Sequence, residues 1–210
     1  MRFIAAHPSN YGSPRERKID HIVIHYTGNN GDTAENNAKY FQGANRQASA
    51  HYFVDPEEIV QSVRENDRAF HAGDKVMNDR SIGIEMCSMK DAKGQYYIPN
   101  KTVALTAKLT RELMAKYGIP VENVIRHYDV TGKQCPEPFV RNPSEWLSFK
   151  ALLREEEKPL YIGNPSAWAR AACEWAVKQG IFQGDGKGEY NWQQPVTREQ
   201  LAVILHRAKG

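Results

Sequence analysis

The chain has 210 residues, a net charge of +3, 40% hydrophobic and 25% charged residues. That is enough for one full domain plus a small appendage, and too apolar for a disordered chain. No stretch approaches the ~20 apolar residues that cross a bilayer, and the positive charge is spread along the chain, not gathered into a nucleic-acid-binding face.

Before its first His and Pro, the amino terminus offers only the run FIAA, too short for the core of a signal peptide. The chain is therefore expected to be held in the cytoplasm at first. The first strong strand is IDHIVIHYT, 19–27, an apolar run with β-branched residues that ends in the turn-forming GNNGD. A helix follows from Thr33. Two short strands, 50–55 and 58–63, are joined by Pro56-Glu57 and read as a hairpin. After a polar loop around FHAGDK, residues 81–87 form another strand. Lys101 to Tyr117 reads as an amphipathic helix stopped by Gly118 and Pro120. ENVIRHYDV, 122–130, supplies a last strand before an irregular Gly-, Pro- and Cys-containing segment, and a helix from Pro143 through Leu153 closes the unit. The alternation predicts an α/β domain with a mixed central sheet flanked by helices over 1–153. Residues 154–164 read as a linker. Residues 165–210 read as a small helical module, in which Trp168, Ala172, Trp175 and Ala176 fall on one helical stripe and Leu201, Ile204 and Leu205 on another.

Several residues in this pattern could carry chemistry. Strand alternation places His21, Val23 and His25 on one face and Ile22, Ile24 and Tyr26 on the other. His25 stands at the carboxyl end, where sites in α/β sheets gather, whereas His21, roughly 13 Å away at ~3.3 Å per residue, is a bystander. His127 ends a strand, and Cys135 follows eight positions later across a loop with Gly132. Two imidazoles and one thiolate form a borderline-soft set suited to zinc with one position left for water. The alternative for such a His–Cys pair is a polar strand end and a small buried thiol. In SIGIEMC, Glu85 shares a face with Ser81, Gly83 and Cys87. A carboxylate there is either paired or functional, or the face meets solvent. Cys87, two positions along that face and ~7 Å away, could compete as a ligand, but with no His nearby in its loop it reads as structural. Lys133 is an ordinary surface lysine unless the Cys135 loop holds it over a reacting oxygen. His51 and His71 either line a cleft or are simply hydrogen-bonded. The three cysteines, Cys87, Cys135 and Cys173, are odd in number and widely spaced, which argues against a disulfide framework.

Taken in order, IVIHYTG (22–28), SAHYFVD (49–55), FHAGD (70–74), SIGIEMC (81–87) and RHYDVTGKQCP (126–136) resemble the type 2 zinc-dependent N-acetylmuramoyl-L-alanine amidases. That family is shared by phage endolysins, bacterial autolysins and peptidoglycan recognition proteins. The resemblance covers about residues 15–153 and implies His25, His127 and Cys135 as zinc ligands. It also implies bacterial peptidoglycan as substrate, cut at the amide between N-acetylmuramic acid and L-alanine. Part of the family carries a catalytic Tyr just before the His of the second motif, where this chain has Ala50. The branch without that Tyr carries a glutamate on the central strand, which implies Glu85 as general acid/base and Lys133 as oxyanion stabiliser. The tail resembles a single S-layer homology motif, through Trp168-Ala169, Glu174-Trp175-Ala176, Gly180-Ile181, Gly184-Asp185-Gly186 and TREQLAVILHR, and implies attachment to a secondary cell-wall polymer. The resemblance favours an endolysin that waits in the cytoplasm until release. A non-catalytic peptidoglycan-binding receptor and a zinc peptidase cutting within the stem peptide are the alternatives, and Cys135 favours the enzyme over the receptor.

Overall fold

Aliphatic and β-branched residues build a sheet whose two faces have different tasks. The computed structural model describes residues 1–154, 163–185 and 189–209, which belong to two units, Met1–Arg154 and Glu155–Gly210. The first unit begins with β1 (Arg2–Phe3), β2 (Tyr11–Gly12), β3 (His21–Tyr26), α1 (Ala34–Tyr40), β4 (Tyr52–Val54) and β5 (Ile59–Gln61). It continues with β6 (Arg68–Ala69), α2 (Lys75–Arg80), β7 (Ser81–Met86), β8 (Met89–Lys90), β9 (Tyr96–Tyr97) and α3 (Asn100–Tyr117). It closes with β10 (Val124–Arg126), α4 (His127–Thr131), α5 (Glu137–Arg141) and α6 (Pro143–Arg154).

The main sheet has the order β1-β5-β4-β7-β3-β10. Only the β4–β5 hairpin is antiparallel, so the sheet is mixed. On one face Ile22, Ile24, Ile82, Ile84, Tyr52 and Val54 pack with Leu109 and Leu113 of α3 and Phe149 and Leu153 of α6. Gly118 ends α3 in the left-handed region at φ 65°, its N–H bonded to the Met114 carbonyl. On the other face Phe53 packs with Ala34 and Ala38 of α1, together with Cys87. Cys87 is thus a buried core thiol whose sulfur accepts from the Asn37 amide at 3.7 Å.

Three segments differ from the sequence expectation. The last strand stops at Arg126, and HYDV is the helix α4, because the Asp129 carboxylate accepts the Arg126 N–H at 2.8 Å and caps the turn. The polar stretch after FHAG contains α2, capped by the Asp74 side chain on the Met77 N–H at 2.7 Å. The irregular segment after Cys135 contains α5.

The second unit has α7 (Arg170–Lys178) and α8 (Arg198–Lys209). Of the expected linker, residues 155–162 lie outside the described residues. Trp168 does not continue the α7 stripe: it sits in a preceding 3-10 turn, Ala167–Ala169, and is 91% exposed, while Trp175 is also exposed. Of the expected stripe Ala176 is buried, in company with Pro165, Cys173 and Ile181, while Ala172 is exposed. Phe182, Tyr190 and Trp192 stack beside α8 around a groove of about 870 Å³.

Phe149 is 1% exposed and packs its ring 5.6 Å from those of Phe139 and Trp146. Phe149→Ala is expected to destabilise the first unit by ~3–5 kcal/mol, measured by denaturant unfolding.

Candidate active site

The site follows from strand register. Parallel pairing of β3 with β7 sets His25 beside Glu85, and β4–β7 pairing sets Phe53 on the other side of Glu85. On β10, Arg126 pairs with Ile24. The next residue, His127, therefore emerges beside His25 just as the strand gives way to α4. Gly132, at φ 77°, ends α4 and turns the chain back. The Tyr128 N–H holds the Cys135 carbonyl at 2.8 Å, closing the loop that returns the sulfur to the two imidazoles.

The resulting cluster is close-set. His25 Nδ1 lies 3.1 Å from His127 Nδ1 and 3.7 Å from Cys135 Sγ. The ligand atoms of the three residues all lie within 4.8 Å of one another. A tetrahedral zinc with Zn–N of about 2.0–2.1 Å and Zn–S of about 2.3 Å has donor–donor edges of about 3.3–3.6 Å. The spacings around His25 bracket that range, and the set of two imidazoles and one sulfur suits the ion. The residues present fit zinc.

Burial sets the charge states. It holds His25 well below its ordinary value, with help from His127 and Lys133, and lowers His127 to about 4. Both imidazoles are neutral near pH 7, as metal ligation requires. Burial, reinforced by Glu85, pushes the Cys135 thiol up to about 12. A cation bound there has to displace the thiol proton. Burial also raises Glu85 to about 8 against the opposing pull of Lys133. Its Oε2 is enclosed and has no hydrogen-bond partner, which is costly unless another group completes the site.

These side chains open on a cavity of about 310 Å³ lined by His25, His71, Glu85, His127, Lys133 and Cys135, with Ala48, Ser49, Phe70 and Gln134 among its walls. Lys133 is exposed on the rim. Ala50 packs into the core beside Phe53. His21 bonds Asp20 at 2.6 Å, apart from the cluster.

The two remaining histidines have separate fates. His51 does not line the cleft: it is 0% exposed, its Nδ1 accepts the Gly83 N–H at 2.9 Å and its Nε2 lies 3.2 Å from the Asp67 carbonyl. The Arg15 guanidinium also stands 3.0 Å from its Nε2, so both ring nitrogens are engaged by protein. His71 does border the cavity, yet both its ring nitrogens are engaged by protein, Nδ1 with His25 Nε2 at 3.0 Å and Nε2 with Ser81 Oγ at 3.2 Å. The sequence pattern placed Ser81 on the Glu85 face but held no signal for its bond to His71, which lies in the loop between β6 and α2.

A mixed sheet carrying a two-imidazole, one-thiol cluster and a buried carboxylate at its strand ends defines a hydrolase-like α/β protein. Residues 15–138, more than half of the chain, match the family described as N-acetylmuramoyl-L-alanine amidase, and the chain belongs to that family. Residues 163–202 match the S-layer homology domain. Among curated relatives, the N-acetylmuramoyl-L-alanine amidase CwlL of Bacillus licheniformis is 38% identical over 144 residues, covering 61% of this chain and 39% of the relative. The amidase CwlA of Bacillus subtilis is 31% identical over 191 residues, covering 83% of this chain and 68% of the relative. The chain thus spans about two fifths of the length of CwlL and more of CwlA. A mutant endolysin from Bacillus subtilis superposes with a TM-score of 0.62 at 32% identity, covering 72% of this chain and 97% of that one. The catalytic domain of XlyA does so with a TM-score of 0.63 at 31% identity, covering 72% and 97%.

The raised carboxyl of Glu85 has a signature in the metal-free protein. Its ordinary value is 4.5 and its folded value about 8, so its contribution to stability is full below pH 4.5 and is lost as pH rises through about 8. The lowered imidazoles act in the opposite sense, removing stability as pH falls below about 6.5. With chelator present, the thermal stability of wild type is expected to fall relative to that of Glu85→Gln as pH rises from 4.5 to 8. Parallel pH profiles for the two proteins would contradict a buried carboxyl at this position.

Proposed function

We propose that the chain hydrolyses the amide between N-acetylmuramic acid and L-alanine in bacterial peptidoglycan, as a zinc enzyme acting on the cell wall. The observation that carries this reading is the convergence of His25, His127 and Cys135 beside the enclosed Glu85 oxygen, in a chain of the amidase family. His25, His127 and Cys135 would hold the ion. Zinc supplies Lewis acidity, polarising the scissile carbonyl and lowering the pKa of water.

The chain's own groups do the rest. Glu85, raised by burial, has a carboxyl that exchanges a proton near neutral pH. It takes a proton from the attacking water and delivers it to the departing L-alanine amine. Lys133, a cation on the cavity rim, offsets negative charge as it develops on the carbonyl oxygen. With Ala50 in place of a tyrosine before His51, Glu85 is the carboxylate that lines the cavity.

Glu85→Gln is expected to bind zinc as wild type does while losing about 10²–10⁴-fold in hydrolysis of purified cell walls. Cys135→Ser is expected to lose both, with metal content read by elemental analysis. Mass spectrometry of the released fragments checks the bond: new L-alanine amines on intact stem peptides support the amidase, and cuts inside the stem peptide would replace it with a peptidase.

We further infer that the unit matching the S-layer homology domain attaches the enzyme to a secondary cell-wall polymer; the match over residues 163–202 supports this. The chain truncated after Leu153 is expected to sediment with purified walls less than the full chain does. Equal sedimentation would assign wall affinity to the first unit alone.

A further inference from the structure

We infer that His71 is a positioning residue: together with Ser81, it dictates which ring nitrogen of the ligand His25 is left bare for the metal. This rests on the zinc reading above and concerns groups that do not themselves touch the ion.

The argument is a count of hydrogens. The Ser81 hydroxyl has one, and it is donated to the Met77 carbonyl within the turn ending α2. Ser81 Oγ can then only accept at His71 Nε2, 3.2 Å away, so the His71 ring carries its hydrogen on Nε2. His71 Nδ1 is left with a lone pair, and His25 Nε2, 3.0 Å away, must donate to it. A neutral imidazole that has its hydrogen on Nε2 presents a bare Nδ1. That is the His25 atom facing His127 and Cys135. The order of donors from Met77 to His25 admits one direction only.

The same short segment borders the second imidazole: His127 Nε2 stands 3.5 Å from where a Cβ on Gly73 would be. His127 Nδ1 is the atom turned to His25, and in the metal-free protein it donates to the bare His25 Nδ1 at 3.1 Å. The segment is itself pinned, since Asn78 Oδ1 accepts the N–H of His71 at 2.9 Å and of Ala72 at 2.7 Å. Gly83 completes the device: a Cβ there would stand 2.5 Å from His71 Cγ, so only glycine lets the ring lie against β7.

The test reads tautomers and metal affinity, not activity alone. Long-range proton–nitrogen NMR on the metal-free full-length protein is expected to show His25 and His71 with hydrogen on Nε2. Ser81→Ala removes the hydroxyl that accepts from His71 Nε2, together with its bond to the Met77 carbonyl, and is expected to abolish the Nε2 preference at His71. In His71→Ala, His25 is expected to populate both forms, and zinc affinity by chelator competition to fall about 10–100-fold. His71→Asn, which keeps an acceptor near the Nδ1 position, is expected to restore most of that affinity; a merely structural role would not separate Asn from Ala. Wild-type tautomers in Ser81→Ala, or wild-type zinc affinity in folded His71→Ala, would overturn the inference. If wild type takes up no zinc, the metal reading fails, while the tautomers of the metal-free protein still decide the order of hydrogens.

Discussion

Parallel pairing of three strands is the constraint on which the site depends. His25, Glu85 and His127 are far apart in the chain, and the β7-β3-β10 register puts them side by side at the carboxyl ends of these strands. A slip of one residue in either pairing would turn one of these side chains to the opposite face. That face is filled by Ile22, Ile24, Ile82 and Ile84 against α3 and α6. Burying these isoleucines fixes the register, and the register fixes the site. The apolar face thereby aligns a polar cluster it never touches.

Burial then does a second job. The imidazoles, the thiol and the Glu85 carboxyl all face the low-dielectric side of a shared cavity, and each is driven toward its neutral form. Neutral imidazoles are competent ligands as they stand. The thiol and the carboxyl are held in a state that a nearby cation would reverse. Lys133 is the cationic side chain on the cavity rim, and its field opposes the rise at both Glu85 and Cys135.

Much of this was legible in the chain itself. Alternation in IVIHY and SIGIEM assigned His25 and Glu85 to their faces correctly, because a period of two leaves no freedom once one face is apolar. Gly118 and Thr33 marked helix ends where the structure has them. HYDV misled, because its β-branched and aromatic residues resemble a strand while a single Asp129 cap makes it a helix. His51 misled in another way: its neighbours in the sequence say nothing of the Gly83 N–H that occupies it, a contact made 32 residues away across the sheet. Trp168 fell off the stripe because a 3-10 turn changes the helical phase. What the sequence could not disclose was the pairing of side chains across elements, which only register and loop closure determine.

The cluster joins parts of the chain that are 102 and 110 residues apart. An ion shared by His25, His127 and Cys135 would therefore work as a removable crosslink between the first central strand and the loop behind the last one. Because such an ion binds the folded chain and finds no assembled site in the unfolded one, its binding free energy adds to folding stability. Scavenging of metal by the surroundings would then loosen the scaffold and silence the chemistry together, making ion supply a control on the enzyme's lifetime as well as its turnover.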